Sequence, residues 1–138
     1  MRQASDGREP EGRAARTMHI GELAERTGLS LRTIRHYDEV DLLKPSGRTD
    51  GGFRLYTEDD LDRLLLIRRM KPLGYSLEEM AALLRVIDAL SDGRAGTEER
   101  ARLSDLVAET ERRRDRLAQQ VAWAEEFLAL LRSHVPGD

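Results

Sequence analysis

The sequence predicts a mainly α-helical protein carrying a small β-hairpin, in which one compact domain is followed by a single long helix. Three observations point there. Apolar residues make up 39% of the 138 residues and charged residues 36%, while aromatics make up 4%, a balance that suits amphipathic helices with solvated faces. Apolar positions recur at helical spacing in several segments bounded by Ser, Thr, Gly or Pro. No Gly or Pro interrupts the stretch from about Glu98 to Ser133.

The first 17 residues lack periodicity and contain Gly7, Pro10 and Gly12, so residues 1–17 are expected to form a disordered tail. Ile20, Leu23 and Ala24 then share one helical face, and Gly28 stands where a left-handed C-cap belongs. Ser30 is placed to cap a second short helix, whose inward face is Leu31, Ile34 and Tyr37 up to about Val40. The pair is joined by a tight Gly28-Leu29-Ser30 corner. After Lys44-Pro45, the turn residues Asp50-Gly51-Gly52 precede the alternating run Phe53-Arg54-Leu55-Tyr56, which is a hairpin signature.

Thr57 followed by Glu58, Asp59 and Asp60 supplies a cap and an acidic first turn for a third helix, with Leu61, Leu64, Leu65, Ile67 and Met70 on its apolar face. Arg68, Arg69 and Lys71 crowd its last turn, where the helix dipole favours positive charge; that accounts for them without a partner. Pro72 and Gly74 end it, and Ser76 with Glu79 opens a fourth helix running to about Leu90. The expected divisions are a domain at 18–90, a linker at 91–96 and a helix at 97–135.

At about 1.5 Å per residue, the last helix spans on the order of 50 Å, more than the small domain could cover. Leu103, Leu106, Thr110, Arg113, Leu117, Gln120, Ala124, Phe127 and Leu131 alternate by three and four; the polar entries Arg113 and Gln120 weaken a simple parallel zipper, and Val107, Val121 and Leu128 widen the stripe to nine apolar residues. These nine residues are the expected dimerisation surface. Trp123 and Phe127 read as packing aromatics.

Residues 18–75 carry ten basic and ten acidic side chains, and residues 76–138 carry nine and thirteen. The overall charge of −3 therefore neither requires nor excludes a nucleic-acid partner, since a cationic surface can be local. With no cysteine, disulfides, thiolate metal sites and thiol redox sensing are excluded. His19, His36 and His134 lack partners at zinc-ligand spacing, so no metal or other cofactor is expected. The adjacent acids Asp59-Asp60 and Glu78-Glu79 occupy helix first turns, which explains them more simply than acid/base catalysis; no enzyme is expected. No segment has a signal-peptide core or the roughly 18 apolar residues of a membrane span, so a soluble cytoplasmic protein is the expectation.

Ile20-Gly21-Glu22-Leu23-Ala24, Gly28-Leu29-Ser30, Thr33-Ile34-Arg35-His36-Tyr37-Asp38, Leu42-Leu43-Lys44-Pro45, Gly52-Phe53-Arg54-Leu55-Tyr56 and Gly74-Tyr75-Ser76-Leu77-Glu78-Glu79 occur in order over roughly residues 18–90. This succession resembles the DNA-binding domain of the MerR family of bacterial transcription regulators. The resemblance implies a winged helix-turn-helix, a homodimer joined by an antiparallel coiled coil, and action on a promoter by bending and untwisting its spacer, with RNA polymerase affected indirectly. Two positions depart from the family pattern: His36 precedes Tyr37 where two tyrosines are usual, and Asp41 stands where glycine commonly closes the helix.

Arg32, Arg35 and His36 share the face of the second helix opposite Ile34. Arg32 and Thr33, near its N-terminus, are expected at base edges, and the resemblance assigns Arg35 and Tyr37 to phosphates. Lys44, Arg48 and Arg54 place three cations on a short hairpin; alone they would read as a solvated loop, but beside a helix-turn-helix they read as phosphate contacts. Ser30 and Tyr56 complete the expected DNA-facing set. Alternatives are a repressor that occludes the promoter and an adaptor that uses the long helix for a protein partner; operator and effector are not specified by the sequence.

Overall fold

The structure is a computed structural model that describes residues 16–137. The expected disordered tail lies outside the described residues except at Arg16 and Thr17. In chain order the elements are β1 (Thr17–His19), α1 (Ile20–Thr27), α2 (Leu31–Glu39), β2 (Gly47–Arg48), β3 (Arg54–Thr57), α3 (Glu58–Met70), a 3-10 turn (Lys71–Leu73), α4 (Leu77–Ser91) and α5 (Thr97–Ser133). The protein is thus mainly helical, with a small antiparallel sheet and a long C-terminal helix. Two compact units divide between Leu84 and Arg85, inside α4.

Local chemistry sets most helix ends in the first unit. Gly28 adopts φ +76, and its N–H reaches Ala24 O, closing α1. Ser30 Oγ accepts from Thr33 N at 3.0 Å, capping α2. After α2, Asp41 takes φ +62, which turns the chain so that Leu42 N and Leu43 N both donate to Tyr37 O and both leucines drop into the core. The departure from glycine at this position thus keeps the left-handed backbone, which Asp tolerates better than most side chains.

Thr57 and Asp60 cap α3 reciprocally: Thr57 Oγ1 accepts from Asp60 N at 3.1 Å and Asp60 Oδ2 accepts from Thr57 N at 2.9 Å. Ser76 and Glu79 do the same for α4.

The sheet order is β1-β3-β2, with Thr17, Met18 and His19 opposite Thr57, Tyr56 and Leu55, and Gly47 and Arg48 opposite Leu55 and Arg54. Strand β1 was not foreseen, and it begins at Thr17, which the sequence reading had assigned to the tail. Leu23, Ile34, Tyr37, Tyr56, Leu64, Ile67 and Leu84 anchor one core, sealed by Leu42, Leu43, Met70, Tyr75 and Met80.

In the second unit, α5 has 37 residues and is on the order of 55 Å long. Gly96 N donates to Glu99 Oε1 at its start, and Glu109 pairs with Arg112 and Arg113 along it. None of its residues is buried.

Candidate nucleic-acid interface

The second helix of the corner, α2, buries Ile34 and Tyr37 and leaves Arg32, Arg35 and His36 exposed. Among the described residues, neither Arg32 nor Arg35 pairs with an acid. Both line an open depression of about 460 Å³ together with Thr33, His36, Tyr37, Glu39 and Lys71. Lys71, from the turn after α3, brings an additional cation to the α2 face; the sequence reading had explained it only as a helix-end charge.

Its neighbour Arg68 donates instead to Thr27 O, tying α3 to the end of α1. Ser30 stays at the exposed start of α2, although its hydroxyl is engaged with both Thr33 N and Thr33 Oγ1.

Two expected contacts need correction. Tyr56 is 0% exposed and, among the described residues, its hydroxyl has no hydrogen-bond partner, so it is a core residue rather than a surface one. It sits across from buried Met18 of the unforeseen strand β1, and that pairing turns its ring into the core. Tyr37 is also a core residue at 2% exposure; whatever it offers a phosphate comes through the small part that reaches the depression.

The wing cations Lys44, Arg48 and Arg54, expected at phosphates, converge on one carboxylate. Asp38, whose side chain is only 5% exposed, accepts from Lys44 Nζ at 2.8 Å on Oδ1, and from Arg48 at 3.1 Å and Arg54 Nε at 2.7 Å on Oδ2. Lys44 Nζ also donates to Asp38 O at 3.0 Å and lies 3.1 Å from Asp41 Oδ1. A second guanidinium nitrogen of Arg48 donates to Gly52 O at 3.2 Å.

Burial alone would raise the Asp38 carboxyl, yet hydrogen bonds from Lys44 and Arg54, with their charges, outweigh it and hold the group at about 2. The same contacts push Lys44 and Arg54 upward. Asp38 lies in the last turn of α2, and nothing in the sequence gives it a role, because its three cationic partners meet only in the folded hairpin. Three cations and two carboxylates leave this cluster at a net charge of +1.

Among the described residues, no group of three or more His, Asp or Glu side chains is gathered to hold a metal ion, and no helix is long and apolar enough to cross a membrane.

A capped helix-turn-helix, a hairpin flanking its second helix and a cationic exposed face together define a winged helix-turn-helix DNA-binding protein. Residues 18–86 match the family described as MerR HTH family regulatory protein, and residues 61–122 match that described as MerR, DNA binding. The chain belongs to the MerR family of DNA-binding transcriptional regulators, which are not enzymes.

It is similar to an uncharacterized HTH-type transcriptional regulator of Pseudomonas aeruginosa, at 36% identity over 88% of this chain and 87% of that one. It is also similar to the nodulation protein NolA of Bradyrhizobium elkanii, at 39% identity over 80% of this chain, but spans only 49% of that protein's length. A solved MerR-family transcriptional regulator from Bacillus cereus superposes with a TM-score of 0.56 at 28% identity, covering 89% of this chain and 88% of that one.

Proposed function

We propose that the chain works as a homodimer, paired through α5 in an antiparallel coiled coil, with its two α2 helices entering successive major grooves of a pseudo-palindromic promoter site. One observation carries the pairing. Val107, Leu117, Val121, Phe127, Leu128 and Leu131 are all exposed along α5, with Ala124 among them and Leu103 and Leu106 half-buried nearer its start. A stripe this long and apolar is unfavourable in water, and a second copy presents the same stripe to cover it.

On DNA, Arg32 and Thr33 read base edges, while Arg35, His36 and the wing hold phosphates. Fixing two heads on one rigid rod favours a bent, untwisted spacer, through which RNA polymerase is affected indirectly. The protein acts in the cytoplasm, where promoter DNA is found.

Hydroxyl-radical footprinting on a duplex that the full chain enriches from a randomised pool tests this reading. Two protected patches on one face of the duplex, separated by whole helical turns, are expected. A single patch contradicts the paired arrangement.

A further inference from the structure

The wing has little apolar material of its own to hold it in place. Gly47, Arg48, Gly51, Gly52 and Phe53 are all exposed, β2 is only two residues long, and the buried residues of β3 lie at its far end, at Tyr56 and Thr57. Its side-chain anchor to the recognition helix is Asp38, reached by Arg48 from β2 and Arg54 from β3. Lys44, from the connection between α2 and β2, directs one ammonium to the Asp38 carboxylate, the Asp38 carbonyl and Asp41.

Without the carboxylate, three cations would face one another around a partly buried site, and like-charge repulsion would spread the hairpin away from α2.

We propose that Asp38 is a specificity-determining positioning residue, which locks the wing to the recognition helix through Lys44, Arg48 and Arg54 before DNA arrives. The inference rests on the DNA-binding reading of this face. A wing already in place loses less conformational freedom on binding, and a fixed distance between helix and wing lets the correct groove shape be told from others. Arg54, at 23% side-chain exposure, serves as the inner tie, and Arg48, at 47%, keeps donors available to a phosphate. Asp38 itself touches no DNA; it acts through the cations it holds.

Asp38→Asn tests this, because charge and position predict opposite results. The substitution removes a negative charge beside the phosphates, so binding to a random duplex should hold or strengthen. Binding to a duplex that the wild-type chain enriches from a randomised pool should weaken, lowering the ratio of the two affinities by roughly tenfold or more.

Equal strengthening on both duplexes would mean that Asp38 only offsets charge, and equal weakening with a cooperative melt retained would mean a general structural role; either overturns the proposal. A wild-type chain that enriches no duplex would sink the DNA-binding reading itself, and this inference with it. Should Asp38→Asn fail to melt cooperatively, backbone order in the free wild-type chain decides. Amide order parameters from Thr49 to Phe53 should match those of α2, at about 0.85, and values below about 0.6 would overturn the preset wing.

Discussion

Ser46 Oγ donates to Asp60 Oδ2 at 2.6 Å, so the connection leading into the wing is bonded to the first turn of α3. The same oxygen accepts from Thr57 N in the capping box, and Asp60 is buried. One carboxylate therefore serves the start of a helix and the base of a hairpin. Asp60→Ala is expected to lower stability by about 2 kcal/mol, since it removes a cap and leaves a buried N–H without its partner. Ser46→Ala should cost about 1 kcal/mol or less. Urea unfolding of both variants checks the order; a Ser46 variant as damaged as the Asp60 variant would contradict it.

Acid should expose the Asp38 cluster. The folded carboxyl titrates at about 2, below its ordinary 3.8, so the fold favours the ionised form. The resulting stability is complete above 3.8, declines as pH falls below that value, and is gone once pH passes about 2. Wild-type stability should therefore fall more steeply than that of Asp38→Asn across this window. Parallel curves, measured by urea midpoints at each pH, would show that the three cations do not hold the carboxylate.

Asp41 occupies a left-handed backbone position with φ +62. Asp41→Gly should leave stability unchanged or raise it by up to about 1 kcal/mol, because glycine adopts this conformation without strain and the exposed Lys44 contact it gives up is worth little. Asp41→Val should cost more than about 1 kcal/mol. Thermal melts of the two variants moving in the same direction and by the same amount would contradict the backbone account.

Three substitutions on the cationic face separate positioning contacts from sequence reading. Lys71→Gln should reduce the slope of log affinity against log salt by about 1, equally on all duplexes. Arg35→Glu should weaken binding to every sequence and also flatten the slope, whereas Arg32→Ala should change which sequences are enriched. A gel-shift salt series in which the Lys71 and Arg35 variants keep the wild-type slope would remove both from the phosphate-contacting set.

Elements fixed by neighbours in the chain were legible in the sequence. Ser30, Ser76 with Glu79, Gly28 and Gly74 announce helix ends within a few residues, and α5 follows from an uninterrupted helical pattern. Strand β1 was not legible: Thr17-Met18-His19 is too short to show alternation, and it becomes a strand only by pairing with β3, some forty residues later. That missed pairing is also why Tyr56 was assigned to the surface. Arg32 and Arg35 could be placed from helical spacing, since Ile34 defines the opposite face. The convergence on Asp38 could not, because its partners lie 6, 10 and 16 residues away, and only the folded hairpin brings them to one carboxylate.

The pairing of α5 is tested most directly by sedimentation equilibrium of the full chain at micromolar concentration. A species of twice 15.7 kDa is expected, with two chains on each enriched duplex. A mass of 15.7 kDa across that range, with one chain per duplex, would contradict the pairing.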